Sequence, residues 1–206
     1  RHSIFASGRG NQACLMNVIH AARELPPDPR GVCVAIGMFD RLHLGHQQVI
    51  RRTIADARAA ECASVVLTFD RHPNSIVAPQ RVPPLIYSLP QKLRAIASLG
   101  VDTTLLIHFD EPFSRQTGEQ FIRSLVRDFG RVTGIYVGNA FVFGCRRSGD
   151  LALLQQMGRE LNFEVQGLPA VSLDQQVISS TRIREAIQRG DLASACQMLG
   201  RPYGLA

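Results

Sequence analysis

Short apolar runs alternate with helix-like periodicity along the first third of this sequence. Residues 31–37 (GVCVAIG) and 63–69 (ASVVLTF) are continuous apolar runs, a pattern typical of strands that are buried on both faces. Between them, residues 44–60 place apolar side chains three and four positions apart, which predicts an amphipathic helix. A strand, a helix and a second strand in this order predict a βαβ unit, whose two strands are parallel.

The same alternation continues to the end of the chain. Two capping boxes, Ser88 with Gln91 and Thr117 with Gln120, predict the starts of two further helices. Ser180 is the expected N-cap of a helix near the C-terminus. The helix that begins at Ser88 is predicted to end at 99, and the one that begins at Thr117 at about 130. Further helices are predicted over 150–161, 180–189 and 192–199, and strands over 104–109, 132–137 and 164–168. The pattern therefore predicts an α/β fold, with a mostly parallel sheet flanked by helices.

A proline-rich stretch and one histidine also allow structural predictions. Residues 73–90 contain five prolines and form the longest stretch that is expected to be irregular. Irregular stretches of that length in compact domains are usually functional or mobile. His108 lies within the predicted strand 104–109, and we expect it in the core or at the strand end.

The composition is that of a globular protein. The 206 residues are 45% hydrophobic and 19% charged, unlike a disordered chain. The five cysteines are dispersed without a C-x-x-C pair, which argues against a zinc ribbon, a dithiol redox centre or a disulfide scaffold. No apolar run approaches the roughly 20 residues of a membrane-spanning helix, and the N-terminus lacks the layout of a secretory signal. These features favour a cytoplasmic protein with reduced thiols and no membrane partner.

The basic residues are almost all of one kind. The net charge is +6, and Lys92 is the only lysine among 23 basic residues. The planar fork of arginine suits phosphate groups, although charge by itself does not distinguish a nucleic acid from a nucleotide. The chain has no run of Lys and Arg, no tryptophan, and few aromatic residues among the basic ones, so a nucleic-acid surface is disfavoured.

The first predicted strand ends in the segment GMFDRLHLGH, residues 37–46. In open parallel sheets ligands bind at the carboxyl ends of strands, where Gly37 allows a sharp turn of the backbone. His43 and His46 then stand at a helix N-terminus, whose free N–H groups and positive dipole end favour a phosphate. Gly45 between them lets a phosphate approach without a Cβ in the way. An H-x-G-H motif between a buried strand and an amphipathic helix predicts a phosphate site.

A second helix start, ISSTRIR at residues 178–184, carries the same chemistry. Its hydroxyl residues are Ser179, Ser180 and Thr181, and its cations are Arg182 and Arg184. The hydroxyls and backbone N–H groups can bind a phosphate, and the two guanidinium groups can neutralise a polyphosphate. Taken alone, the segment is also compatible with a serine N-cap followed by solvated arginines.

Together the two motifs resemble those of the H-x-G-H nucleotidyltransferase superfamily, whose members join a nucleoside monophosphate to a phosphorylated acceptor and release pyrophosphate. Five further segments are similar to the bacterial FAD synthetases, which are bifunctional riboflavin kinase/FMN adenylyltransferases. They are GMFD at 37–40, TFDRHP at 68–73, VGNAFVFG at 137–144, SGD at 148–150 and LGRPY at 199–203. The resemblance covers residues 17–203 and corresponds to the N-terminal adenylyltransferase module, which implies a Rossmann-like nucleotidyltransferase fold.

This resemblance implies an activity and a domain plan. The activity is transfer of AMP from ATP to FMN, giving FAD and pyrophosphate by direct in-line displacement. ATP, FMN and FAD are the implied ligands, with Mg²⁺ screening the phosphates and no metal site made by protein side chains. Residues 1–15 are expected to be a poorly ordered lead-in and 16–199 the adenylyltransferase domain. Residues 200–206 are expected to begin a linker to the riboflavin kinase module that normally follows and is absent here.

The resemblance also implies roles for individual residues. The implied catalytic residues are His43, His46 and Arg184. The implied ATP-binding residues are Gly37, Phe39, Asp40, Gly45, Asn139, Ser179, Ser180, Thr181 and Arg182. The implied FMN-binding residues are Phe69, Asp70, His72, Pro73 and Phe141.

Three positions depart from the family pattern. Arg41 replaces a usual glycine and is expected to be tolerated in a loop, while Arg71 replaces a usual proline and adds a cation on the flavin side. Ala140 stands where an Asp or Asn is usual, with Asn139 one position earlier. Three alternatives are open, and these changes motivate the second of them. The alternatives are a nucleotidyltransferase with another phosphorylated acceptor, a catalytically weak flavin- or nucleotide-binding module, and an arginine-rich RNA-binding protein.

Overall fold

The computed structural model describes residues 16–82 and 87–203. Six parallel strands form one sheet in the order β1-β4-β3-β2-β5-β6, and two short antiparallel strands form a separate hairpin. The strands are β1 (Asn17–Ile19), β2 (Val32–Ile36), β3 (Ala63–Phe69), β4 (Thr103–Ile107), β5 (Val132–Gly138), β6 (Glu164–Leu168), β7 (Ser172–Leu173) and β8 (Gln176–Val177). The helices are α1 (Leu44–Ala59), α2 (Asn74–Val77), α3 (Leu89–Ala97), α4 (Glu111–Ser114), α5 (Gly118–Phe129), α6 (Leu151–Leu161), α7 (Ser180–Gln188) and α8 (Leu192–Leu199). The predicted α/β class and parallel sheet are confirmed.

Both faces of the sheet are covered, which explains the continuous apolar runs. Every residue of β2 is buried, and its side chains alternate between two cores. Val34 belongs to a core completed by α5 and α6, whereas Ala35 belongs to a core completed by α1 and α3. Burial of each large apolar side chain contributes about 1.5–3 kcal/mol, so these two cores fix the strand order.

The central strand β2 is where the direction of the chain through the sheet reverses. From β2 the chain proceeds to β3 and β4 on one side, and then crosses to β5 and β6 on the other. A crevice outside the carboxyl ends of the strands forms at such a reversal, and it is the usual ligand site of open α/β sheets. The segment 37–43, which follows β2, lies at this position.

A third apolar cluster joins the C-terminal helices to each other. Ile183 and Ala186 of α7 pack against Ala195, Met198 and Leu199 of α8. Leu44, the first residue of α1, is packed against the same cluster. The C-terminal helices are thereby attached next to the H-x-G-H segment.

Local signals in the sequence predicted the helix starts with one error. The capping boxes of Ser88 with Gln91 and of Thr117 with Gln120 are both present. Ser180, however, is not the N-cap of its helix. Ser179 holds the extended backbone of an N-cap, and its side chain accepts from the N–H of Arg182. Adjacent serines offer the same capping chemistry, so sequence cannot choose between them.

Several elements differ from the expectation. Strand β1 and the β7–β8 hairpin were not predicted, because strands of two or three residues carry no periodic signal. The stretch 73–90 is not irregular throughout, since α2 begins at Asn74 and α3 includes Leu89 and Pro90. Strand β4 ends at Ile107, which places His108 at the strand end, where it is exposed.

Two expectations concern residues that the structure does not describe. The lead-in at 1–15 lies outside the described residues, as do 204–206 of the expected linker. Within 16–82 and 87–203, no helix combines the length and apolar character needed to cross a membrane.

Candidate active site

The loop after β2 has a strained, buried backbone. Phe39 and Leu42 adopt φ angles of +46° and +43°, in the left-handed region that bulky residues rarely occupy. Both side chains are buried. A Cβ at Gly37 would lie 2.8 Å from the Phe39 ring, so only glycine fits there. Strain of this kind persists where the surroundings hold it in place, as they often do at functional sites.

The two histidines of the motif form a stacked pair at the start of α1. His43 is the N-cap, and its Nδ1 accepts from the N–H of His46 at 3.4 Å. The rings stack with centroids 3.7 Å apart, and Phe39 packs edge-on against His46. A Cβ at Gly45 would lie 3.2 Å from Cε1 of His43, so this glycine also leaves room for the imidazole.

Both histidines are uncharged at neutral pH. Burial lowers the pKa of His43 to about 4, against the opposing effect of Asp40. The pKa of His46 is also well below its ordinary value, mainly through burial and then through the neighbouring His43 and Arg41. Because Nδ1 of neutral His43 accepts a hydrogen bond, its proton is on Nε2, which is left as a donor.

The neutral histidine pair predicts acid sensitivity. We expect the free energy of unfolding to decrease as the pH falls from about 6.5 towards about 4. In this window the unfolded chain binds protons on His43 and His46, while the folded protein keeps both rings neutral. Each histidine then reduces stability by up to about 1.4 kcal/mol per pH unit. Urea unfolding between about pH 7 and pH 5 measures the slope.

Two substitutions separate this effect from other titrations. His43→Gln is expected to flatten the slope by about the contribution of one histidine. His20→Gln is the matched control, because His20 is exposed, and it is expected to leave the slope as in the wild type. If His43→Gln and the wild type had equal slopes, the neutral state of His43 would be refuted.

Asp40 joins the two predicted phosphate motifs. The hydroxyl of Ser180 donates to Asp40 Oδ1 at 3.2 Å, and Arg184 Nη2 lies 3.7 Å from Asp40 Oδ2. The start of α7 is thereby held against the loop after β2, although the two segments are 140 residues apart. The structure therefore brings together the predicted residues Asp40, His43, His46, Ser180 and Arg184.

The remaining residues at the start of α7 have different surroundings. Ser179 caps the helix, and Thr181 is exposed. Arg182 Nη1 donates to the carbonyls of Leu173 and Gln176, both at 2.9 Å. Arg182 therefore anchors the β7–β8 hairpin, a contact that the sequence did not suggest.

Arg41 lies in the loop after β2, as expected, and its side chain is buried. Its side chain is 0% exposed, and its Nε lies 3.9 Å from Asp40 Oδ2. Burial lowers the pKa of Arg41 to about 10, so the group is still charged at neutral pH. A buried charge without a partner is unfavourable by on the order of several kcal/mol.

The tail after α8 packs against this loop. Gln47 Nε2 donates to the carbonyls of Leu42 and Leu199, both at 2.8 Å, and Arg201 Nη2 donates to the carbonyl of Arg41 at 3.0 Å. A Cβ at Gly200 would lie 2.6 Å from Leu44. Residues 199–201 thus pack against the segment 37–43 after β2, which we call the phosphate loop. Local sequence signals did not indicate this contact.

An apolar cavity of about 180 Å³ opens beside the end of β2 and the loop that follows it. Three of the residues with an implied FMN role line it, namely Phe69, Pro73 and Phe141. Aromatic rings continue along its wall, where Phe141 stacks on Phe143 with centroids 5.1 Å apart. Such an enclosure suits a flat, mostly apolar ring system.

A smaller cavity of about 30 Å³ with several charged lining residues lies next to the apolar one, and Met38 borders both. The other two residues with an implied FMN role, Asp70 and His72, line this cavity together with Asp40. Asp70 Oδ2 contacts His108 Nδ1 at 2.6 Å, and Arg71 Nε lies 3.6 Å from the same oxygen. The added cation at position 71 therefore pairs with Asp70.

Lys92 is a residue of this cavity that the sequence analysis did not assign to the site. Its Nζ donates to the carbonyl of Phe69 at 2.5 Å, and burial lowers its pKa to about 8. Two features of the sequence could have drawn attention to Lys92. It is the only lysine of the chain, and it directly follows the capping box of Ser88 with Gln91. Tyr87, across the same cavity, carried no sequence signal.

Asn139 lies at the carboxyl end of β5. Its N–H donates to the carbonyl of Leu168, and its side chain fills the space over Gly167, 2.4 Å from where a Cβ would stand. Asn139 and Ala140 are both exposed. The position of Asn139 at this end of the sheet is compatible with a nucleotide in the crevice, and its implied role remains a prediction.

A parallel α/β sheet, a histidine pair at its first helix and a second phosphate motif on the same aspartate define a nucleotide-binding domain of the nucleotidyltransferase type. This chain belongs to the FAD synthetase family, whose family model matches residues 25–182.

Named relatives agree with this assignment, and a solved structure shares the fold. The chain is 33% identical over 192 residues to a bifunctional riboflavin kinase/FMN adenylyltransferase of Escherichia coli (strain K12), covering 93% of this chain and 61% of that protein. It is 38% identical over 173 residues to a putative protein of the same description from Geobacillus thermodenitrificans, covering 84% of this chain and 91% of that one. A crystal structure described as a macrolide-efflux protein from Streptococcus pneumoniae has a TM-score of 0.78 at 27% identity, over 91% of this chain and 60% of that one.

Proposed function

We propose that this domain transfers AMP from ATP to FMN, giving FAD and pyrophosphate. The observation that carries the proposal is the juxtaposition of a phosphate-type cluster with an apolar cavity, both bordered by the segment after β2. The cluster contains His43, His46 and Arg184. Met38 lines both the apolar cavity and the smaller cavity that also contains Asp40. FMN has a flat ring system and a phosphate, so it fits an apolar site next to a phosphate site.

The proposed reaction is one in-line displacement. An oxygen of the FMN phosphate forms a bond to the α-phosphorus of ATP, and the bond from that phosphorus to the bridging oxygen breaks, so that pyrophosphate leaves with the electron pair. The phosphate of FMN is largely deprotonated at neutral pH, so no general base is required. The domain acts mainly by positioning the reactants and stabilising charge.

The residues of the histidine loop have roles that follow from their protonation. Neutral His43 can donate from Nε2, and the first turn of α1 adds free N–H groups. Arg184 adds a fixed positive charge from the opposite helix. Donors held in place before the reaction stabilise the charge that develops on the phosphate oxygens.

Mg²⁺ enters this proposal as the counter-ion of ATP. Within the described ranges, no group of three or more His, Cys, Asp or Glu side chains is arranged to hold a metal ion. The one carboxylate of the cluster, Asp40, already contacts Ser180 and Arg184. We therefore assign no step to a metal held by the protein.

The extent of the chain limits the proposal to one module. The chain spans about 61% of the length of the Escherichia coli relative, whose name includes a second activity, riboflavin kinase. We infer that a kinase module acts together with this domain in proteins of that length. We also propose a cytoplasmic location, which the dispersed cysteines of the sequence favour.

The direct test is incubation of the chain with FMN, ATP and Mg²⁺. We expect FAD by chromatography and an equal amount of pyrophosphate by an enzymatic assay. Riboflavin in place of FMN is the matched control, because it lacks the phosphate nucleophile and should give no FAD. Absence of FAD with FMN would overturn the proposal.

The cavity predicts a selective effect of Phe141→Ala. We expect the KM for FMN to rise about tenfold, because loss of an aromatic contact to a heterocycle typically costs a factor of this size. The KM for ATP should be unchanged. Steady-state kinetics with each substrate varied in turn measure both values. Val77→Ala, at an exposed side chain on α2, is the control. A rise in the KM for ATP instead would place FMN elsewhere.

A further inference from the structure

The two buried cations of the described chain are treated differently by the fold. Lys92 Nζ donates to the carbonyl of Phe69 and lies 3.4 Å from Thr68 Oγ1 and from the carbonyl of Met38. In contrast, Nε, Nη1 and Nη2 of Arg41 have no hydrogen-bond partner among the described residues. Buried polar groups are paired in nearly all native structures, so a guanidinium with five unused donors implies a missing acceptor.

The one nearby carboxylate does not supply that acceptor. Asp40 Oδ2 is 3.9 Å from Arg41 Nε, which is beyond hydrogen-bond distance. Asp40 also accepts from Ser180 and is paired with Arg184. The carboxylate of Asp40 therefore lies near two guanidinium groups but makes no hydrogen bond to that of Arg41.

Arg41 lies within the phosphate cluster. Its charge acts on the pKa of His43 and of His46, after the larger effect of burial, and Arg184 acts on Arg41 in turn. Its backbone is held by Arg201, which donates to its carbonyl. The groups around it thus include both histidines and the arginine that the proposed reaction uses.

We propose that Arg41 is a phosphate-binding residue of this chain and that it pairs with the pyrophosphate part of ATP. This inference rests on the proposed function and adds to it the residue that holds the leaving group. A guanidinium fork matches two phosphate oxygens, and a polyphosphate supplies the acceptors that the side chain of Arg41 lacks.

Access to Arg41 requires a local rearrangement. The side chain is fully buried, and residues of the C-terminal tail lie against its loop. Arg201 is the main contact, since it donates to Arg41 and also lies over the ring of Tyr87, 5.4 Å from its centroid. Binding of pyrophosphate therefore includes a shift of the loop or of this tail.

The test uses inorganic pyrophosphate with the full chain. Arg41→Met removes the charge and keeps the length, while Arg41→Lys keeps the charge and loses the fork. Arg51→Met is the matched control, because Arg51 is exposed on α1. Calorimetric titration gives the Kd for pyrophosphate, and thermal unfolding without ligand reports on folding.

We expect Arg41→Met to raise the Kd for pyrophosphate at least about tenfold, with Arg41→Lys intermediate and Arg51→Met unchanged. Without ligand, Arg41→Met should be at least as stable as the wild type, because an unpaired buried charge is removed. With ATP as substrate, Arg41→Lys should raise the KM for ATP and leave the KM for FMN unchanged.

The outcomes separate this inference from the proposed function. If the wild type binds pyrophosphate and Arg41→Met and Arg41→Lys bind it equally well, the role of Arg41 is overturned while the proposed function stands. If the wild type itself does not bind pyrophosphate, the role of Arg41 is overturned, whereas the proposed function is decided separately by FAD formation from FMN and ATP.

Discussion

Replacement of His46 by Ala is expected to lower the rate of FAD formation by at least about 10²-fold. The imidazole lies at the first turn of α1, stacked on His43 and packed against Phe39. Its Nδ1 is buried and has no hydrogen-bond partner among the described residues, so this nitrogen is free to bind a ligand. Rates of FAD formation at saturating FMN and ATP measure the effect.

A folding defect must be excluded for this variant. Loss of the ring removes its contacts with His43 and Phe39, and we expect the free energy of unfolding to fall by about 1–2 kcal/mol. The protein should remain folded at the assay temperature by circular dichroism. His20→Ala, at an exposed histidine, is the control and should retain full activity. Near-normal turnover by folded His46→Ala would remove this residue from the reaction.

Replacement of Arg184 by Ala is expected to raise the KM for ATP by about 10–100-fold, with a smaller effect on the KM for FMN. Arg184 faces Asp40 at 3.7 Å, one turn after Ser180. Its loss removes a cation and also leaves Asp40 with less compensation, so that the carboxylate repels the phosphates. Both effects act on ATP.

The control for Arg184 lies on the same helix. Arg189 is the exposed C-cap residue of α7, and Arg189→Ala should leave both KM values unchanged. Arg184→Lys, which keeps the charge, should recover part of the affinity for ATP. A rise in the KM for FMN alone would place Arg184 on the flavin side of the site.

The sequence predicted those parts of the fold that depend on local chemistry. The capping boxes at Ser88 and Thr117 and the buried strands β2 and β3 follow from neighbouring residues, so periodicity and caps identify them. The hairpin turn at Asp174 and Gln175 was missed, because both residues have positive φ and neither is glycine. The turn is held by Arg182, a contact that no local pattern encodes.

Features of the site that depend on distant residues could not be predicted. The burial of Arg41 depends on a tail 160 residues later, and the surroundings of Lys92 depend on the ends of β2 and β3. Position in the sequence placed Arg41 in a loop, and only the packing of the chain shows that its side chain is buried. The residues implied by resemblance were brought close together at Asp40, whereas Asn139 and Thr181 lie where their roles still need a measurement.

The hydrogen bonds between the phosphate loop and the C-terminal tail have a consequence for protein synthesis. The side chain of Gln47 donates to the carbonyl of Leu199, which is 152 residues later in the chain. The carbonyl of Arg41 accepts from Arg201, which is also near the end of the described chain. A ribosome produces the loop well before the tail, and the nascent chain can complete these contacts only when the tail has emerged. Nascent chains that end before the tail therefore lack the two hydrogen bonds that hold this loop.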